Sequence, residues 1–254
     1  FEELGADVIT IGNEPDGFNI NVEHGATKPE LLQKKVLEHK ANVGIALDGD
    51  GDRLIMVDHK GEVVDGDEIL FIISQGRSET LGGGIVGTVM SNLGLEIAIK
   101  KLGLNFLRAQ VGDRYVLEIL SKNNLKLGGE SSGHIINLDL TTTGDGIISA
   151  LQVLDAMVDS EDTLCKLKSG MEKYPQTMIN VKIDKEVDLS KMTNVQNAMR
   201  TAESELGDKG RILLRPSGTE PLVRVMVEGE IATQVNAIAE SLANEVRTGI
   251  GERM

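Results

Sequence analysis

Apolar positions along the chain fall into two kinds of segment: short continuous runs of strand length, and longer stretches striped at helical spacing. The first block, residues 1–65, opens with "DVITI" (7–11), which reads as a strand. "PELLQKKVLEH" places Pro29 at a helix start and Leu32 and Val36 four apart, as a short helix requires. "VGIAL" (43–47) is a continuous apolar run of the kind found in a buried parallel strand, and "LIMVD" (54–58) extends again. The second block, residues 66–173, alternates strands and helices. "GIVGTVM" leads to a helix striped by Leu95, Ile99 and Leu102, and "LNFLRAQV" leads to the helix "DRYVLEILSKNN" with Asp113 at its N-cap. After "LKLGGESSGHIINL", Ile147, Leu151, Leu154 and Val158 mark one face of a further helix, with Asp145 as its cap. The third block, residues 174–254, reads strand, helix, strand, strand, helix, entered through a hinge at Tyr174–Pro175. Val195, Met199, Ala202 and Leu206 stripe one helix; Ile231, Val235, Ile238, Leu242 and Val246 stripe the other. Two strands with no helix between them imply a hairpin. The pattern predicts α/β architecture followed by a smaller α+β part.

Composition narrows the function. Hydrophobic residues make up 40% of 254, enough for a packed core, but aromatics are 2% and Trp is absent, so stacking platforms for single-stranded nucleic acid are hard to build. A net charge of −14 opposes binding to nucleic acid or to an anionic membrane. The single cysteine, Cys165, fits a reducing compartment, and with no apolar run of membrane-span length a cytoplasmic location is expected. The chain begins at Phe1 rather than Met, which is expected of a piece of something longer.

Three loops carry the candidate chemistry. "ALDGDGDRL" (46–54) crowds Asp48, Asp50 and Asp52 into five positions, with Gly49 and Gly51 allowing the bend that would make them converge. A divalent cation would offset their repulsion, and an all-oxygen set suits Mg²⁺ shared with a phosphate. A calcium loop of the EF-hand kind fails, because its sixth and twelfth positions would be Arg53 and His59. A solvated turn is the plainer alternative. In "RPSGTEPLVRVMVE" (215–228), Arg215 offers a fork for phosphate, Ser217 and Thr219 offer hydroxyls, and Gly218 lets the backbone approach an anion. Val223, Val225 and Val227 share one face of the following strand; Arg224, on the other, either serves this clamp or is solvated. In "GGESSGH" (128–134), Glu130, Ser132 and His134 can read sugar hydroxyls or an amine, and His134 is either an acid or base or a structural hydrogen-bonder. Arg114 falls in the first turn of its helix, where a cation opposes the helix dipole, a hint of use elsewhere.

Together these loops, in this order and one to each block, resemble the α-D-phosphohexomutase family over nearly the whole chain. "DGDGDR" resembles its metal loop, "GGESSGH" its sugar loop and "RPSGTEP" its phosphate loop. "VGTVMSNLGLE" (86–96), "VGDRYVLE" and the 215–228 stretch are most similar to the bacterial members acting on glucosamine phosphate, with glucose- or mannose-phosphate members as the alternative. The resemblance implies two consecutive mixed α/β layered domains, the first incomplete, then a smaller α+β domain. It also implies interconversion of glucosamine 6-phosphate and glucosamine 1-phosphate through a phosphoserine and a bisphosphate. Asp48, Asp50 and Asp52 would hold Mg²⁺, and Arg53 would sit beside the transferring phosphoryl. Glu130 and Ser132 would fix the sugar; Arg215, Ser217, Gly218 and Thr219 would grip the other phosphate. The family's phosphoserine segment is absent, so a missing N-terminal domain is an expected partner and the chain alone is expected to be inactive; a homodimer is a further expectation. "NINVEHGATKPE" (19–30) departs from the family, with His24, Ala26 and Lys28 where Cys, Ser and His are usual. Two further readings compete: a non-catalytic phosphosugar-binding module, and an Mg²⁺-dependent phosphatase with Asp48 or Asp50 as nucleophile.

Overall fold

The element order follows from where the apolar segments find partners. A computed structural model describes residues 1–77, 79–183, 188–217 and 220–251. The chain divides into two compact units, one of residues 1–91 and 95–172, the other of residues 92–94 and 173–254.

In the first unit, helix α1 (Glu30–His39) buries Leu32 and Val36, as their spacing predicts. Strands β1 (Val43–Leu47), β2 (Leu54–Asp58) and β3 (Val63–Val64) form an antiparallel sheet in that order. The expected parallel strand at 43–47 is therefore an edge strand of a hairpin, and its burial alternates because Gly44 and Ala46 lie buried against the α1 side while Val43, Ile45 and Leu47 are only partly covered by the central core. "DVITI" forms no strand; among the described residues it pairs with nothing in a sheet.

Helix α2 (Gly66–Gln75) is the unit's centre: every residue from Gly66 to Ser74 is buried. It starts at a capping box in which Asp65 accepts from the amide of Glu68, while the Glu68 carboxylate accepts from the amide of Asp65. Strands β4 (Gly84–Thr88), β5 (Asn105–Ala109), β6 (Leu127–Gly129) and β7 (Ile135–Asn137) form a sheet ordered β5-β4-β6-β7. Its first three strands are parallel, and β7 returns antiparallel to β6. Helices α3 (Leu93–Lys101) and α4 (Asp113–Asn123) are the crossovers, and α5 (Gly146–Ser160) and α6 (Leu164–Lys168) follow. Alternate strand residues feed opposite faces. Ile85, Phe106 and Leu127 join Leu54 and Met56 of β2 and the α2 residues in one buried cluster; Val86, Ala109 and Ile136 meet Val116 and Leu120 of α4 in another. The hairpin sheet and the four-stranded sheet thus share a core.

Two local expectations are corrected. Helix α4 is capped by Gly112, not Asp113: Gly112 takes φ 124°, and Asp113 is already helical. Helix α5 begins at Asp145 as expected, its carboxylate 2.8 Å from the Ile148 amide, but it buries Ser149, Ala150, Gln152 and Val153. The aliphatic stripe faces outward, with Ile147 50% and Val158 75% exposed. The smaller face is the one that approaches β2 and β7.

In the second unit, β8 (Gln176–Lys182), β9 (Gly210–Pro216) and β10 (Leu222–Gly229) form an antiparallel sheet ordered β8-β10-β9. Helices α7 (Thr193–Leu206) and α8 (Ala232–Gly251) cover its aliphatic face, where Val223, Val225 and Val227 are fully buried. Of the predicted α8 stripe only Ile231 is exposed, one residue before the helix begins.

Candidate functional site

The aspartate loop is the connection of the β1–β2 hairpin, not the crossover at the end of a parallel strand. Gly51 takes φ 73° and closes a turn onto the Asp48 carbonyl at 3.2 Å. Gly49 is small for another reason: a Cβ there would fall 2.3 Å from the Ile20 side chain. The bend brings carboxylate oxygens of Asp48, Asp50 and Asp52 within 4.8 Å of one another. Arg53 folds back over them. Its amide donates to Asp48 Oδ1 at 3.1 Å, and its Nε lies 3.5 Å from Asp48 Oδ2 and 3.9 Å from Asp52 Oδ1. Asp52 Oδ1 is buried and makes no hydrogen bond. An orphaned carboxylate oxygen beside two further carboxylates is an oxygen-only donor set that fits Mg²⁺. Asp58, Glu62 and Cys165 also come within ligand distance of each other, but there the Lys168 ammonium already bridges the two carboxylates at 3.0 and 3.1 Å.

The 128–134 loop joins β6 to β7 and is pinned beside the aspartate loop. Arg53 and His134 form an antiparallel bridge, the Leu54 amide donates to the Gly133 carbonyl at 3.0 Å, and His134 Nδ1 lies 3.0 Å from Asp52 Oδ2. The Gly66 amide at the start of α2 donates to the Ser131 carbonyl at 3.1 Å. Glu130 Oε1 accepts from the Gly112 amide at 2.7 Å, so the turn before α4 orients this carboxylate. Ser132 is exposed, and Arg114 stands exposed in the first turn of α4 as predicted. His134 is buried. In one unit, then, the structure gathers Asp48, Asp50, Asp52, Arg53, Glu130, Ser132 and His134.

The second unit holds the other loop. Arg215 and Arg224 are directly opposite each other on β9 and β10, on the face away from the helices. The Nε atoms of both are buried without a hydrogen-bond partner. Burial, and then the like charge of Arg224, pull the Arg215 guanidinium below its ordinary value. Two cations facing each other across a ladder repel, and an anion between them would relieve that. Arg224 also meets Glu220 at 3.1 Å, and the Ser217 amide donates to Leu222 at 2.8 Å. Gly218 and Thr219 lie outside the described residues.

Sequence reasoning passed over the residues that do the holding: Gly112, Gly144 and Gly146. The Gly146 amide donates to the Gly51 carbonyl at 2.9 Å, tying the start of α5 to the aspartate loop. For Gly144 and Gly146 the signal was glycine flanking a helix cap in "TTTGDG".

A family model described as phosphoglucomutase/phosphomannomutase, alpha/beta/alpha domain III, matches residues 65–174; one described as phosphoglucomutase/phosphomannomutase, C-terminal domain, matches residues 178–245. The phosphoglucosamine mutase of Nitrosococcus oceani is 60% identical over 253 residues, and that of Proteus mirabilis 59% over 249. These alignments cover 99% and 97% of this chain but 56% of each relative, so the chain spans about half the length of the curated relatives it matches. Among solved structures, the N-acetylphosphoglucosamine mutase of Aspergillus fumigatus in complex with GlcNAc-6P and magnesium is similar with a TM-score of 0.72 at 21% identity, over 91% of this chain and 54% of that one. A phosphoglucomutase/phosphomannomutase family protein of Burkholderia thailandensis is similar with a TM-score of 0.70 at 22% identity, over 88% and 51%. The structural likenesses establish the fold, the sequence matches go further, and the chain belongs to the phosphoglucomutase/phosphomannomutase family.

Proposed function

We propose that this chain is the cation- and sugar-holding part of a cytoplasmic phosphoglucosamine mutase, which interconverts glucosamine 6-phosphate and glucosamine 1-phosphate through a phosphoserine and a bisphosphate. The observation that carries this reading is the pinning of the aspartate loop to the 128–134 loop through Arg53, Leu54 and His134. It sets a cation-holding group beside hydrogen-bonding groups suited to a sugar. The names of relatives at about 60% identity support glucosamine phosphate as substrate.

Phosphoryl transfer needs positioning and charge neutralisation more than covalent help from the protein. Bound among Asp48, Asp50 and Asp52, Mg²⁺ would neutralise charge on the transferring phosphoryl group. Arg53, whose guanidinium lies against the same carboxylates, would serve as a second positive charge for that group. Glu130, with one oxygen committed to Gly112, offers the other to a hydroxyl or ammonium of the sugar, and Ser132 adds a donor or acceptor. Arg114 is a further cation for the substrate's phosphate. Arg215 and Arg224, with Ser217, Gly218 and Thr219, grip the phosphate that is not reacting. The three parts are residues 1–65, 66–173 and 174–254, and the serine that exchanges the phosphoryl group belongs to the N-terminal half that the relatives possess.

Joining the chain to the N-terminal half of the Nitrosococcus oceani relative tests this. The fusion is expected to isomerise glucosamine 6-phosphate, followed by ³¹P NMR, while the 254-residue chain alone binds it weakly and isomerises none. Isomerisation by the chain alone would overturn the assignment of the nucleophile.

A further inference from the structure

Apolar side chains of the first unit stand in solvent at two places that both abut the aspartate loop. The first is the turn ahead of α1. Asp16 Oδ1 accepts from the amides of Phe18 and Asn19 at 2.8 and 2.9 Å, and the Asn19 side-chain amide donates to the Glu14 carbonyl at 2.9 Å. That braced turn holds the Phe18 ring outward, 91% exposed. Ile20, 66% exposed, lies against Gly49, whose missing Cβ makes room for it. The second place is the start of α5. Ile147 is half-exposed and Leu151, one turn on, is half-buried, while the helix buries Ser149, Ala150, Gln152 and Val153. Immediately before Ile147, the Gly146 amide holds the Gly51 carbonyl, so this stripe begins at the same loop. Single exposed apolar residues are ordinary on a protein surface; two groups meeting at one functional loop mark a contact.

Covering these side chains takes a partner that comes to the aspartate loop. A second copy of this chain suits poorly: a symmetric contact here would set two aspartate loops together between chains of net charge −14. The chain matches only 56% of the length of its Nitrosococcus oceani relative, and the serine that exchanges the phosphoryl group must come to this loop from the remainder. We propose that Phe18 and Ile20, with Ile147 and Leu151, form the seat of that N-terminal half, which presents an apolar face to them and so carries its serine to the aspartate loop. Apolar contact suits the task, because it holds the half in place without adding charge to a loop already crowded with carboxylates. The inference rests on the proposed function, in which that half supplies the serine.

Single-cysteine footprinting tests this. In a Cys165→Ser background, Phe18→Cys and Ile147→Cys are each labelled with a maleimide, in the 254-residue chain and in its fusion to the N-terminal half of the Nitrosococcus oceani relative. Both are expected to react quickly in the chain alone and at least about tenfold more slowly in the fusion, since a covered thiol is inert. An unchanged rate at either position overturns the inference. So does protection in the chain alone that grows with its concentration, which would make a second copy the occupant. Isomerisation of glucosamine 6-phosphate by the same fusion is read separately. Activity with unchanged labelling overturns the seat and spares the proposed function; slowed labelling without activity supports the seat and overturns the proposed function. A measurement on the chain alone does not depend on the fusion. Phe18→Ser and Ile147→Ser are expected to melt within about 2 °C of the unmodified chain, because neither side chain fills its core. A drop well beyond that would place both in the chain's own packing and overturn the proposal.

Discussion

Asp58 closes β2 with no exposed surface, and three donors converge on its carboxylate. Lys168 Nζ reaches Oδ2 at 3.0 Å, and the amides of Lys60 and Glu62 donate to Oδ1 at 2.9 and 3.0 Å, while the Asp58 amide itself is taken by the Glu62 carbonyl. Burial pushes the Asp58 carboxyl up, but the Lys168 ammonium and the turn amides outweigh it and hold the group below its ordinary 3.8. A carboxyl depressed by folding contributes stability above its unfolded value, and that contribution is lost as pH falls through the lower folded value. Asp58→Ala should therefore cost about 3 kcal/mol near neutral pH, where it strips Lys168 of its buried partner. Urea denaturation should show this gap shrinking well below 3.8. A gap that is the same in acid would mean that the cost is packing alone. Glu130 is the other residue whose surroundings make a sharp statement. With Oε1 held by Gly112, Glu130→Gln keeps the shape and removes the charge. Binding of glucosamine 6-phosphate should then suffer more than binding of glucose 6-phosphate, by about 1 kcal/mol, because the ammonium loses an ion pair whereas a hydroxyl loses only the charge on its acceptor. Equal losses by calorimetry would remove Glu130 from substrate choice.

Among elements, the β9–β10 hairpin places Arg215 and Arg224 opposite each other at a cost to the sheet. Arg215→Ala is expected to melt no lower than the unmodified chain in phosphate-free buffer. Added phosphate should raise the melting temperature of the unmodified chain and leave that of Arg215→Ala in place. A variant that still responds in full would show that the anion binds elsewhere. The capping box of α2 gives a plainer case: Asp65→Ala should lower stability by about 1 kcal/mol in denaturant melts, as an N-cap loss does. Elements were legible wherever one segment's own pattern decided its state. The α7 and α8 stripes and the Val223, Val225, Val227 face needed no partner to be read. Tertiary context decided the others. α5 turns Ala150 and Val153 inward because a small face packs closer than the Ile147–Val158 stripe would. α2 is buried all round, so it has no polar face to give it helical period, and only Asp65 and Glu68 mark its start. The run at 43–47 is apolar throughout yet lies at a sheet edge, since hydrophobicity alone does not state strand direction.

At the scale of the molecule, the three loops were legible as residue types at short spacing, and with them the family. The bracing of the aspartate loop against the 128–134 loop was not. Arg53 and His134 are far apart in sequence, and nothing in either segment states that their backbones pair. Gly112, Gly144 and Gly146 act through backbone amides and absent side chains, which leave no chemical signature. The account comes down to whether the β1–β2 hairpin loop holds a divalent cation. The most direct measurement is an anomalous difference map at the manganese edge from crystals of the protein soaked in Mn²⁺. A single peak among the carboxylates of Asp48, Asp50 and Asp52, with the Arg53 guanidinium displaced from Asp48, is the expected result. Carboxylates turned apart toward bulk solvent, with no peak between them, would contradict it.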